Sequence, residues 1–170
     1  MNEQKGKFIL MVYKLLEAYN PEVVEEASKE LTVEIKKIDL EGFYPRSEFL
    51  AFLEKLSPDA QMVIGKKCFP TVKNTTNDLD GIETPLGLLK VMDAQYKANV
   101  RGPDVPEIKI LEENDHHIKM SVKAPYPDDF NEGIIRGAFD MFKILRVHIS
   151  REIETIDGDK VATFDIKWEE

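Results

Sequence analysis

The apolar pattern of this chain changes near residue 102 from helical spacing to strict alternation, and that change constrains the fold most. Before this point apolar residues recur every three or four positions, which predicts helices. After it, polar and apolar residues alternate in four segments, 108–110, 118–122, 147–149 and 164–168, which predicts four strands. Asp157-Gly158 lies between the last two segments and is a strong hairpin signal. The sequence therefore predicts an α+β fold with a four-stranded antiparallel sheet.

Start signals divide the first part into five helices. Asn20-Pro21, Ser57-Pro58 and Thr84-Pro85 each place a capping side chain before a proline at the first helical position. Helices are also predicted over 7–19 and 47–56 from their apolar spacing. Pro70 is expected to end or kink the fourth helix, because proline lacks the N–H donor that a helix interior needs.

The second part adds one more helix, predicted from Asp128 to Lys143 with Phe130 and Ile134 on its inner face. Because the chain has 170 residues and domains average about 150 residues, we expect one domain. It would consist of a helical part, 1–102, and a sheet-containing part, 103–170.

Charge and composition limit the classes of partner. The formal net charge of −9 disfavours nucleic acid and anionic membrane surfaces, since both are negatively charged. The apolar run that starts at Phe8 is much shorter than the roughly 20 residues of a membrane span. The N-terminal segment shows no signal-peptide cleavage site, and Cys68 has no partner cysteine for a disulfide. These features indicate a cytoplasmic protein that binds neither nucleic acid nor membrane.

No catalytic or metal-binding motif is apparent. Cys68 lies on an apolar helical face and is interpreted as a buried or half-buried structural thiol. His116 and His117 are adjacent on a strand and would point to opposite faces, so a solvated turn is the better interpretation. Gly133 and Gly137 are expected to let another element pack closely against their helix. Nothing in these residues indicates an enzyme.

Five segments, in order along nearly the whole chain, resemble the haem nitric oxide and oxygen binding (H-NOX) family. They are KGKFILMVYKLLEAYNPEVVEEASKEL, IGKKCFPTVKN, LLKVMDAQYKANVRGPDVPEI, DDFNEGIIRGAFDMFK and the Asp-Gly hairpin ending in FDIKW. The resemblance implies an α+β fold in which the helical part and the four-stranded sheet enclose a ligand. It also implies a sensor that has no enzymatic activity.

The functional residues of the family do not recur in this chain. The family ligates haem iron through a histidine on the helix matched by LLKVMDAQY, where this chain places Tyr96 or, with the alignment anchored on Gly102, Asp93. The family's Y-x-S-x-R motif for the haem propionates falls on Ser121–Pro125 and keeps none of its three defining residues. Lys123 could still contact a propionate as a point charge.

Tyr96 is an admissible haem ligand, although a tyrosinate needs stabilisation because its reference pKa is about 10. The alternative interpretation is a core tyrosine with a hydrogen-bonded hydroxyl. The candidate cofactors are therefore haem, with Tyr96 or Asp93 on the iron, and an unidentified small apolar ligand. In either case the resemblance places Met92, Tyr96, Phe130 and Ile134 around the pocket.

The predicted function is a sensor or regulatory module for a small ligand or gas that acts on a signalling partner in trans. Three alternatives remain open. One is a 4-vinyl reductase-like small-molecule-binding domain, a family that often carries cysteines near its last hairpin, whereas REIETIDGDKVATFDIKW has none. The second is a degenerate, haem-free interaction module. The third is an enzyme acting on a tetrapyrrole or other apolar substrate, which would need convergent polar groups inside the cavity, and the sequence names no such set.

Overall fold

The computed structural model describes residues 1–169. Six α-helices and seven β-strands follow one another in the described chain. The helices are α1 (Gly6–Tyr19), α2 (Pro21–Ala27), α3 (Arg46–Glu54), α4 (Pro58–Thr75), α5 (Pro85–Ala98) and α6 (Asp128–Asp140). The strands are β1 (Glu3–Lys5), β2 (Phe43–Pro45), β3 (Val100–Arg101), β4 (Glu107–Asn114), β5 (His117–Lys123), β6 (Val147–Ile156) and β7 (Asp159–Trp168).

The larger sheet has the order β4-β5-β7-β6, with every neighbouring pair antiparallel. Ile118 lies opposite Ile166 and Met120 lies opposite Phe164 on the face that is buried. Asp157 and Gly158 both have positive φ, 52° and 88°, as a two-residue hairpin turn of type I′ requires. The four predicted strands, their antiparallel order and the final hairpin are confirmed, and the fold class is α+β.

A second sheet of three short strands, in the order β2-β1-β3, was not predicted. Gln4 is its central residue, opposite Tyr44 on β2 and Val100 on β3. Strands of two or three residues are too short to show an alternating pattern. The part of the chain predicted to be helical, 1–102, therefore also contributes all three strands of this sheet.

The five predicted helices of the first part are present, and the capping side chains act as expected. Asn20, Ser57 and Thr84 each accept a hydrogen bond from a backbone N–H of the first turn that follows. Of the two outcomes expected at Pro70, an end or a kink, the first is wrong, because α4 continues to Thr75. An interior proline costs about 3 kcal/mol, and the two residues before it, Cys68 and Phe69, are both buried in the core.

Helices α4 and α6 cross at a contact made by three glycines. A Cβ on Gly65 would lie 2.3 Å from the carbonyl oxygen of Phe130, and one on Gly137 would lie 2.4 Å from that of Lys66. Gly133 faces the carbonyl of Met62 in the same way, at 2.5 Å. The interpretation of Gly133 and Gly137 as close-packing positions is confirmed.

Helix α6 ends at Asp140, three residues before the predicted end. Lys143 adopts a left-handed conformation with φ 59°, and Ile144 N–H bonds back to the carbonyl of Phe139 at 3.2 Å. This arrangement is a helix-ending motif usually made with glycine, and a lysine at this position does not predict it. No helix within residues 1–169 is long and apolar enough to cross a membrane.

Candidate ligand-binding site

A small cavity of about 40 Å³ lies where α1, α4, α5 and α6 meet. Its lining is mainly apolar and includes Met92, Tyr96 and Ile134, three of the residues predicted to surround a pocket. Cys68 lines it from α4 and is buried, as predicted. Apolar cavities of this size hold at most a few atoms and stay dry when they lack polar partners.

A larger groove, with a volume of about 410 Å³, lies over the small cavity. It runs between α1, the last turns of α4 and the end of α5. The two spaces are adjacent, because they share the lining residues Phe8, Met11, Val72, Gln95 and Asn99. We call the small space the inner cavity and the large one the outer groove. Together they form the candidate site.

Four buried polar side chains form a hydrogen-bonded chain beside the inner cavity. Tyr96 Oη donates to Asn131 Oδ1 at 2.7 Å, and Asn131 Nδ2 donates to the carbonyl of Tyr126 at 3.3 Å. Tyr126 Oη donates to Gln4 Oε1 at 2.6 Å, and Gln4 Nε2 donates to the carbonyl of Asn99 at 2.8 Å. These hydrogen bonds join the small sheet to α6 and α5. We call it the interior polar chain.

The aromatic rings of the core close the space around this chain. Phe130 lies 6.4 Å from Phe8 and 6.2 Å from Tyr126, measured between ring centroids. Tyr126 also contacts Tyr96 edge-on at 5.4 Å. Phe130 is fully buried but does not line the inner cavity, so it supports the lining residues from behind. The predicted pocket set thus divides into three lining residues and one supporting residue.

The two charged candidate residues lie away from the inner cavity. Lys123 Nζ pairs with Asp159 beside the β6–β7 hairpin. Asp93 accepts a hydrogen bond from the backbone N–H of Ile108 at 2.9 Å and pairs with Lys97 at 2.6 Å. Neither residue lines the inner cavity or the outer groove.

Burial keeps the two potential anionic ligands of the cavity neutral. It raises the pKa of the Tyr96 hydroxyl well above its usual value and raises the pKa of the Cys68 thiol to about 12, because the charged forms lose their hydration. Within residues 1–169, no three His, Cys, Asp or Glu side chains are grouped so that they could hold a metal ion. Without a bound metal, the Tyr96 hydroxyl and the Cys68 thiol are therefore both neutral at pH 7.

The overall architecture can be compared with solved structures. A mutant of T. tengcongensis H-NOX matches 98% of this chain and 98% of its own, with a TM-score of 0.78 and 19% identity. The chain has the H-NOX fold. An oxygen-binding H-NOX domain related to soluble guanylate cyclases matches with a TM-score of 0.77 and 20% identity, over 98% of this chain and 95% of its own.

A third solved structure aligns over a similar share of both chains. The Fe(II) unliganded H-NOX protein from K. algicida aligns over 98% of this chain and 97% of its own, with a TM-score of 0.71 and 19% identity. No family model matches the sequence, and no curated protein does. This chain thus shares the fold of the solved H-NOX domains at a sequence identity of only 19–20%.

The residues of this H-NOX fold do not fit haem. The inner cavity, which Tyr96 lines, is far smaller than the roughly 300–1,000 Å³ of a typical cofactor pocket, and the hydroxyl of Tyr96 is occupied by its bond to Asn131. The outer groove is large enough, but its lining includes no histidine, cysteine or tyrosine. Met11 reaches the outer groove, but a haem methionine acts together with a histidine, and the groove lining contains none. The space inside the fold is filled by Tyr126 and the aromatic rings around it.

Sequence reasoning missed the members of the interior polar chain other than Tyr96. Gln4 precedes the first helix, and Asn131 lies within a helix next to Phe130. Their roles depend on contacts between residues 35 to 122 positions apart. A signal was present only for Tyr126, because the flanking Pro125 and Pro127 fix the backbone on both sides of it.

Proposed function

We propose that this chain is a haem-free, non-enzymatic module that binds a small, mainly apolar ligand in the outer groove. The observation that carries this proposal is the outer groove itself, with its largely apolar lining next to the apolar inner cavity. A volume of about 410 Å³ lies within the range of small-molecule sites. The ligand would place an apolar end against Phe8, Met11 and Val72.

The threonines at the end of α4 support an apolar ligand. The hydroxyl groups of Thr71, Thr75 and Thr76 all donate to carbonyls one turn earlier in the helix, at 2.7–3.0 Å. Their donor hydrogens are therefore used within the helix. The groove wall formed by α4 thus offers fewer free donors than its sequence suggests.

The absence of haem can be tested with the purified protein. Protein produced in haem-replete cells, and protein mixed with excess haemin, should show no stoichiometric Soret band after gel filtration. A band that persists would overturn the haem-free proposal. In that case Tyr96→Phe identifies or excludes Tyr96 as the ligand, because loss of the phenolic oxygen would abolish a tyrosinate-ligated band.

Ligand binding in the groove can be tested with N-phenyl-1-naphthylamine, a neutral apolar dye that fluoresces when it leaves water. We expect saturable binding of one dye per chain. Val72→Phe should weaken binding strongly, because Val72 lines both the groove and the inner cavity. Leu15→Trp is a second blocking variant on α1, another wall of the groove.

The matched control is Val161→Phe on β7, which lines neither space. Thermal unfolding of every variant shows that it is folded. Dye binding that is absent in the unmodified protein, or equal in Val72→Phe and Val161→Phe, would contradict the proposal. An interaction module without a ligand would then explain the fold better.

A module of this kind would transmit binding to a signalling partner in trans. The net charge of −9 favours a basic surface on that partner through electrostatic steering. Association with a partner recovered from native lysate should slow as the salt concentration rises, since the Debye length falls from about 10 Å at 0.1 M to about 3 Å at 1 M. A rate independent of salt would argue against steering.

A further inference from the structure

Two lysines of α1 line the outer groove. Lys7 and Lys14 are seven residues apart on one helix face, a separation of about 10 Å along the helix axis. Neither ammonium group forms an ion pair with a residue in 1–169, whereas Lys5 pairs with Glu41 at 2.6 Å. Lys7 is half-buried and Lys14 is exposed.

The acidic groups of the groove do not cancel this charge. Glu41 and Asp78 are the carboxylates of its lining, and Glu41 is neutralised by Lys5. The lining thus carries two unpaired cations against one unpaired carboxylate. Between the cations lies an apolar floor that includes Leu10, Met11 and Leu15.

We infer that the ligand is an amphipathic monoanion, a long-chain carboxylate, whose head binds Lys7 or Lys14 and whose tail lies along the groove toward the inner cavity. This inference rests on the proposed function, since it assigns the chemistry of the ligand in that site. Charge-assisted hydrogen bonds are about twice as strong as neutral ones, so the head adds selectivity to the affinity supplied by the tail.

The ligand is the free molecule rather than a membrane lipid. The chain as a whole carries a charge of −9, which disfavours approach to an anionic bilayer. The groove also lies between helices, where a single tail can enter.

The test compares dodecanoate with dodecanol as displacers of the bound naphthylamine dye. The two molecules have tails of equal length and differ only in the head group. We expect dodecanoate to bind about tenfold more tightly, a ratio typical of one hydrogen bond to a charged group. The double variant Lys7→Gln/Lys14→Gln should lose that preference and bind dodecanol as before.

The matched control is Lys67→Gln/Lys119→Gln, which changes the net charge equally at lysines outside the groove. It should keep the preference for dodecanoate. Equal displacement by the two molecules, or a lost preference in both double variants, would overturn the inference while dye binding still supports the proposed function. If the dye itself does not bind, the proposed function fails first.

A vesicle experiment separates the two sources of an amphipathic anion. Phosphatidylglycerol vesicles should not sediment the protein at physiological salt. Sedimentation that is lost in Lys7→Gln/Lys14→Gln would show that the lysines serve a membrane surface, and the inference of a free ligand would be wrong.

Discussion

Tyr96 on α5 donates its phenolic hydrogen to Asn131 on α6 across 2.7 Å, inside a core in which both side chains are buried. This bond fixes the orientation of the Asn131 amide, whose nitrogen then donates to the backbone of Tyr126. Tyr96, the candidate haem ligand, therefore forms one of the protein's internal hydrogen bonds. The alternative interpretation of Tyr96, a core tyrosine with a hydrogen-bonded hydroxyl, describes its structure.

Tyr96→Phe should lower the free energy of unfolding by about 1–3 kcal/mol, because it leaves Asn131 Oδ1 buried without its donor. Urea denaturation measures this change. Tyr19→Phe is the control, since Tyr19 is exposed and should change stability by less than about 0.5 kcal/mol. Equal stability of the two variants would show that the bond contributes nothing measurable.

Phe130→Ala should cost about 3–5 kcal/mol, the usual cost of deleting a buried phenylalanine from a close-packed core. Phe130 is fully buried against Phe8 and Tyr126. Leu145→Ala, at a residue that is 83% exposed, serves as the control in the same denaturation series. A loss well under 2 kcal/mol would instead indicate that the surrounding space is already open to a ligand.

Gly137→Ala should destabilise the protein although alanine is the better helix former by about 1 kcal/mol. The new methyl group would lie 2.4 Å from the Lys66 carbonyl oxygen, so α4 and α6 must move apart. Ala94→Gly, on the exposed side of α5, measures the effect of helix propensity alone. If Gly137→Ala raises the melting temperature, the close crossing of α4 and α6 is incorrect.

Stability should fall as pH rises above about 9. The folded state raises the pKa of Cys68 from 9.0 to about 12, so between these values the folded chain holds a proton that the unfolded chain has lost. The contribution of Cys68 to stability is fully present below pH 9.0, the pKa of the unfolded state. It is lost progressively as the pH rises toward about 12, the pKa of the folded state. The slope from one such group is about −1.4 kcal/mol per pH unit.

In Cys68→Ala the slope should become less steep by about 1.4 kcal/mol per pH unit, which is the contribution of one proton. The free energy of unfolding, measured between pH 8 and 11, gives this slope. Tyr96 and Tyr126 add to the remaining slope at higher pH, because burial raises the pKa of each. An unchanged slope in Cys68→Ala would mean that the thiol is not buried in solution.

Local signals were sufficient for most secondary structure. The capping residues Asn20, Ser57 and Thr84 mark the starts of three helices, and Asp157-Gly158 marks the last hairpin. Each signal depends on residues within one turn of it, and a single sequence contains that information. The alternating strands also indicated which face is buried, as Ile118, Met120 and Val122 show.

The candidate site could be predicted only in part. Met92, Tyr96 and Ile134 line the inner cavity, whereas Lys123 and Asp93 are held elsewhere by Asp159 and by Ile108 and Lys97. Charged side chains form ion pairs and hydrogen bonds with neighbouring residues, and the order of residues in a motif does not reveal which residues those are.

The sequence by itself determined the capped starts of three helices, the four-stranded sheet and the final hairpin. Tertiary structure alone decided that α4 continues through Pro70, that Gln4 occupies the centre of a small sheet, and that Tyr126 fills the interior. These features depend on contacts between residues far apart in the chain, such as Gln4 and Tyr126. Their energies arise from burial and pairing in three dimensions, which no local pattern records.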